Sequence, residues 1–218
     1  MKKLSVLLMF VLSMAFVMPS CSTTSRLEKE RDRQYKTKIK EFKKEGWKIY
    51  GTPRSIEVAL LEYYEELKKE DISEVMGEAT AFISKSVGSQ TALNSAATKY
   101  AQLASSVLRG RVVRDMFSDS DEVPAEFDKF YAAYETKVEK EIKGELIPSF
   151  TVIRSKGKND KGQEVFEMQT YCLVNESAAS KARMRALENA MKESEMAQQY
   201  ARKVSDFVQE AFKDGEGK

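Results

Sequence analysis

The chain has 218 residues, with 36 Lys and Arg against 34 Asp and Glu, two Cys and no His. A net charge of only +2 gives no electrostatic footing for a nucleic-acid partner. The missing histidine excludes Ser-His-Asp and Cys-His catalysis and every His-bearing metal site.

Lys2 and Lys3 precede an almost wholly apolar run from Leu4 to Val17, broken only by Ser5, Ser13 and the small Ala15. This is the design of a signal peptide over residues 1–20. A membrane-spanning helix needs roughly 20 apolar residues, and this run stops at Pro19 with a charged segment behind it. An ordinary secretory cleavage before Cys21 asks for a small residue where Met18 stands. Met18-Pro19-Ser20-Cys21 instead resembles a lipobox, in which the cysteine is diacylated and becomes the new N-terminus. Met18 and Pro19 depart from the usual Leu and small residue of that motif, and the competing reading is a secreted protein with a chance cysteine. The expectation is a lipid, palmitate-type acyl chains included, on Cys21. It would hold the protein on the outer membrane, facing the periplasm, with surface display left open.

Cleavage after Ser20 removes Lys2 and Lys3 and no acids, leaving 198 residues (218 minus 20) with 34 bases and 34 acids. That length suits one domain, or one domain with a tether. With Cys21 lipidated, Cys172 is the remaining thiol, so no internal disulfide forms and stability must come from the core.

Residues 21–45 read as a lipidated start and charged tether. Ser22 to Ser25 is taken as flexible, and Arg26 to Lys44 carries nine bases and four acids with no Pro or Gly. Leu27, Tyr35, Ile39 and Phe42 give it only a thin helical stripe. The bases could form a patch for anionic lipid headgroups or cell-wall polymer, but the interspersed acids favour a solvated helix that lifts the domain off the membrane.

Residues 46–218 read as a single domain. Trp47 to Tyr50 is a short strand between Gly46 and Gly51. Pro53 opens a helix whose Ile56, Ala59, Leu60, Tyr63, Tyr64 and Leu67 share a face. Val75 to Ile83 is a strand with Gly77, Ala79 and Ala81 on one side, where a helix can lie close. Residues 89–113 form an alanine-rich helix with a buried stripe of Leu93, Ala96, Ala97, Tyr100, Leu103, Ala104, Val107 and Leu108. After the acidic turn around residues 115–122, Pro124 starts a helix with Phe127, Phe130, Tyr131, Tyr134, Val138 and Ile142 on one side. Phe150 to Arg154 and Val165 to Val174 make a hairpin around the polar loop Lys156 to Gln163, and alternation turns Cys172 inward. A long helix from Ala178 to Phe212 closes the chain, with Ala182, Ala186, Leu187, Ala190, Met191 and residues from Ala197 to Ala211 in its stripe. The fold class is α/β in the α+β sense: a small sheet of about four strands packed by long alanine-rich helices, with helix dominant.

The lipobox, the small-residue strand, the alanine-rich helix around Ala92 to Val107, the hairpin from Phe150 to Val174 and the closing helix together resemble the LPP-twenty lipoprotein family and related domains of flagellar outer-membrane-associated proteins. The resemblance runs from Trp47 to Phe212 as a pattern, and no diagnostic motif carries a residue's role across. It implies an envelope lipoprotein with an α/β domain and no established enzymatic activity. The aromatic helix from Pro124 to Lys143 and the charged tether depart from that pattern.

The search for chemistry beyond the lipid returns little. Cys172 reads as a small core residue rather than a nucleophile, and Ser84-Lys85 as a chance pair in a lysine-rich chain. Glu57, Glu62, Glu65 and Glu66 read as a solvated helix face rather than an acid and base across a cleft. Asp115, Asp119, Asp121 and Glu122 offer oxygens of the kind calcium takes, but without EF-hand spacing or its glycine, and a helix-capping turn explains them better. Trp47, Tyr50, Tyr63 and Tyr64 are core or the lining of a ligand groove. No catalytic residue, cofactor or metal is expected. Function is read as a non-enzymatic binding or structural module engaging an envelope protein or glycan. The alternative is a carrier of a small molecule or lipid in a pocket near Trp47 or Phe166.

Overall fold

The computed structural model describes residues 22–116 and 125–193. These fall into two compact units, one up to Lys40 and one from Glu41 onward. Helix α1 (Ser22–Glu45) opens the chain. Ser22 to Ser25, expected as a flexible start, is already helical, since nothing from Ser22 to Glu45 breaks a helix and the long charged side chains favour one. Gly46 ends it in the left-handed region, at φ 75°, and the Trp47 N–H returns to the Phe42 carbonyl at 2.9 Å.

Then follow β1 (Lys48–Tyr50), α2 (Ile56–Glu66), β2 (Ile72–Phe82), α3 (Lys85–Met116), α4 (Ala125–Ile142), β3 (Leu146–Lys158), β4 (Glu164–Asn175) and α5 (Glu176–Lys192). The fold is mixed α/β and helix-dominated, with one four-stranded antiparallel sheet in the order β1-β3-β4-β2. The β3–β4 hairpin forms its centre, and both strands run longer than their apolar alternation suggested. Ser55 caps α2, its hydroxyl accepting from the Val58 N–H at 3.2 Å. The Asn175 side chain does the same for α5 through the Ala178 N–H at 2.9 Å.

On one face of the sheet α3 lies along β2 and β4, and α4 packs across α3 and α5. Ala92, Ala96, Ala97, Tyr100, Ala101, Leu108 and Val112 of α3 are buried. All six apolar positions expected on the inner side of α4 are buried as well: Phe127, Phe130, Tyr131, Tyr134, Val138 and Ile142. Leu103 and Val107 are not in the α3 stripe; they are 65% and 53% exposed. The stripe runs through Ala101 and Ser105 instead, because small side chains are what α4 can press against at close range. Residues Ala197 to Ala211 of the expected closing stripe, and the turn at 118–122, lie outside the described residues.

The close approach foreseen at β2 is real and severe. A Cβ added at Gly77 would stand 1.8 Å from the Ala92 carbonyl oxygen and 2.5 Å from the Ala96 nitrogen. Ala81 does not share that face: the β2–β4 register shifts between Ala79 and Phe82, and Ala81 sits at φ 56°, so the bulge turns it outward.

On the other face α2 packs, with Phe42 beside it. Phe42, placed in the tether by the sequence reading, is buried and meets the Tyr171 ring edge-on at 6.1 Å. Phe150 reaches this face only because β3 carries an extra residue against β4 between Pro148 and Phe150, which flips the alternation after the proline. It stacks on Tyr171 at 4.5 Å and 5°, and Tyr63 closes edge-on against both rings. Tyr171 and Leu173 are therefore buried along with Thr170, Cys172 and Val174. The expected alternation of inner and outer residues in β4 fails at this end because helices cover both faces.

Gly77→Ala is expected to destabilise the chain by about 3 kcal/mol or more, since the clash is with backbone that cannot rotate away. Gly110→Ala, where an added Cβ meets nothing within 4 Å, should stabilise by about 0.5–1 kcal/mol by removing a mid-helix glycine. Guanidinium denaturation of the two variants side by side checks both signs.

Candidate functional site

The residues singled out in the sequence do not converge. Cys21 and the acidic turn lie outside the described residues, as does the side chain of Asp115. The Cys172 thiol is buried and free, and burial pushes its pKa up to about 11, away from reactivity at neutral pH. Lys85 stands over the Phe166 ring at 4.8 Å, while the Ser84 hydroxyl meets that of Ser86 at 3.1 Å, so Ser84-Lys85 does not form a dyad.

The four glutamates of α2 are each matched to a base of their own. Glu57 pairs with Lys43 at 2.9 Å, Glu62 with Arg54, Glu65 with Lys68 at 2.6 Å and Glu66 with Lys69 at 2.7 Å. The hydrogen bond from Lys43 holds Glu57 below the usual carboxylate range. An acid–base pair needs one carboxyl raised and another left ionised across a cleft, whereas the shift at Glu57 runs downward. Among the described residues no three Cys, Asp or Glu side chains come together as a metal would require.

The early aromatics separate by role. Tyr63 is core, its hydroxyl donating to Glu74, and burial first, then that bond, raises its pKa strongly. Trp47 is buried beneath the Arg154 guanidinium at 4.4 Å, and its indole N–H donates to Glu45 at 3.0 Å. Arg154 also binds Glu45 at 2.6 Å and Glu167 at 3.0 Å. Tyr50 packs with Phe82 and Phe166 on the small cluster of Ala79, Ala92, Ile153 and Met168.

The sequence reading missed an open recess of about 380 Å³ between α3 and α4, lined by Ser105, Ser106, Arg109, Asp128, Tyr131, Ala132 and Glu135. Its floor is polar inside an apolar seam. Ser105 is buried and donates to the Tyr131 carbonyl at 3.4 Å. The Tyr131 hydroxyl is buried without a hydrogen-bond partner among the described residues, and burial, opposed by Arg109, pushes its pKa up to about 12. Arg109 lies 5.5 Å over the Tyr131 ring and pairs with Asp128 at 2.8 Å at the rim. The recess presents one guanidinium, paired with Asp128 and lying over the Tyr131 ring. Its signal in the sequence is Ser105 one turn after Ala101 in a stripe otherwise made of apolar residues.

No protein-family model matches the chain, and no curated protein matches it.

Two measurements follow from these burials. Tyr131→Phe deletes a buried hydroxyl that lacks a partner, so stability should stay level or rise by about 1 kcal/mol; a larger loss in denaturation would reveal a bond to that oxygen. The second concerns alkaline pH. Cys172 titrates near 11 when folded against about 8.5 unfolded, and Tyr100 and Tyr131 are both raised to about 12. Raised acids favour the folded state below their unfolded pKa, and that contribution disappears as pH climbs to the folded value. Stability should therefore hold to about pH 8.5 and fall steeply towards 12, with tyrosinate absorbance appearing together with loss of the far-ultraviolet helix signal. Tyrosinate appearing well before unfolding would contradict these burials.

Proposed function

We propose that the protein is a lipid-anchored envelope protein whose α/β domain binds or braces another envelope component, protein or glycan, without performing a reaction. The observation that carries this reading is Met18-Pro19-Ser20-Cys21 directly after the apolar run Leu4 to Val17. Diacylation of Cys21 would tether the chain through its own N-terminus. Among the described residues no helix is long and apolar enough to cross a membrane, so a lipid supplies attachment that these helices do not.

The non-catalytic part of the reading draws support from charge placement. The acids of α2 are matched to bases, and the Cys172 thiol is closed off in the core. A carrier reading finds little support where its cavity was expected. Trp47 is covered by Arg154, and Phe166 is packed between Phe82, at 6.2 Å between ring centres, and Lys85.

Intact-mass analysis of native protein extracted in detergent should find a diacylglyceryl mass beginning at Cys21, absent from the Cys21→Ala variant. Affinity capture from crosslinked envelopes should then return the same partners in repeated experiments. An unmodified chain cut elsewhere would overturn the anchor, and an envelope that yields no reproducible partner would count against the binding role.

A further inference from the structure

The bases of α1 that alternate with acids along the sequence separate by face once the segment is helical. At 3.6 residues per turn, Arg26, Lys29, Arg33, Lys36 and Lys40 fall within an arc of roughly 80°. All five are exposed. Glu30 and Asp32 each lie about 40° beyond an end of the arc, and Glu28 about 80° beyond. Glu30 reaches back to Arg33, but at 3.6 Å between side chains 50% and 78% exposed, a geometry that leaves the guanidinium's charge available. Arg31, Tyr35, Lys38 and Ile39, on the opposite side of the helix, are the sheltered positions. The exposed side of this stretch thus carries five bases in a row about 21 Å long, from 14 steps of 1.5 Å, flanked by Glu28, Glu30 and Asp32, which are exposed as well.

We propose that this row lies against the anionic phospholipid headgroups of the membrane that holds Cys21. The inference rests on the lipid anchor proposed above. Helix α1 starts at Ser22 with no flexible spacer, so a lipid on Cys21 would start the helix at headgroup level and hold the row at high effective concentration beside that surface. The arc carries no apolar side chain, so contact is with headgroups and not with the acyl interior. A lipid chain combined with a basic patch binds more firmly than either alone, and here the patch would also fix the direction in which the helix leaves the anchor.

The test is acetylation footprinting of the natively processed protein on vesicles, with intact mass of the same sample recording the state of Cys21. On vesicles of equal parts phosphatidylglycerol and phosphatidylcholine, Lys29, Lys36 and Lys40 should acetylate at least fivefold more slowly than on phosphatidylcholine alone. Lys161, exposed in the β3–β4 turn, should not change. High salt should erase the protection, because screening shortens the reach of exposed charges. Arg33→Gln with Lys36→Gln, both at exposed positions, should reduce it at Lys29 and Lys40. Equal rates on the two vesicles, with Cys21 lipidated, would overturn the row's role and leave the anchor standing. Protection in a sample whose Cys21 is free would sustain the row and sink the anchor. Protection by a soluble acidic glycan and not by vesicles would assign the face to a polymer and overturn the membrane proposal.

Discussion

The architecture hangs on a backbone contact: α3 presses so closely on β2 at Gly77 that the Ala92 carbonyl and Ala96 nitrogen occupy the space a side chain would need. Such an approach brings the helix onto the sheet over alanines, which lose no rotamer freedom on burial. The bulky groups that fill the interior come from α4, through Phe127, Phe130 and Tyr131, and from β4 through Met168. With small residues on α3 and aromatics on α4, the helix layer interdigitates as close-packed interiors do. The same arrangement accounts for Leu103 and Val107 lying outside: the seam between α3 and α4 runs along Ala97, Ala101, Ser105 and Leu108.

The second constraint is the extra residue in β3 between Pro148 and Phe150. Side chains alternate along a strand, so one added residue moves everything beyond it to the opposite face. Phe150 thereby joins Tyr63, Tyr171 and Phe42 on the α2 side, while Leu146, before the shift, stays with Cys172 and Val174. The polar atoms caught in these layers mostly have partners. Thr151 and Thr170 share a hydrogen bond at 3.1 Å across the hairpin, and Glu74 accepts a hydrogen bond from the Tyr63 hydroxyl. A buried hydroxyl without a partner is costly, and among the described residues Tyr131 carries one beside the recess between α3 and α4.

Charge is arranged on the surface in two ways. On α2 each carboxylate stands beside a neighbouring base. On the Ser22–Lys40 part of α1, which carries seven bases and three acids, five of the bases share one exposed side. The second arrangement is the one on which the membrane proposal rests.

Much of the fold was legible along the chain. The helical spacing of the α4 aromatics, the short strand after Gly46, the hairpin and the helix-dominated α/β class all follow from local periodicity, which records how one element must face the core. The Gly77 contact was legible as well, because small residues at alternate strand positions leave one face of the sheet open to a close neighbour. The likeness of Met18-Pro19-Ser20-Cys21 to a lipobox likewise rests on sequence alone, since a processing motif is written in adjacent residues. Other features needed the tertiary structure. The bulges that re-aim Phe150 and turn Ala81 outward, the burial of both faces of β4, and the choice of Ala101 and Ser105 over Leu103 and Val107 all depend on partners distant in sequence. The recess at Arg109, Asp128 and Tyr131 joins two helices whose residues lie some twenty positions apart. Periodicity says that a side chain faces inward; which element meets it, and how closely, is decided only when the layers pack.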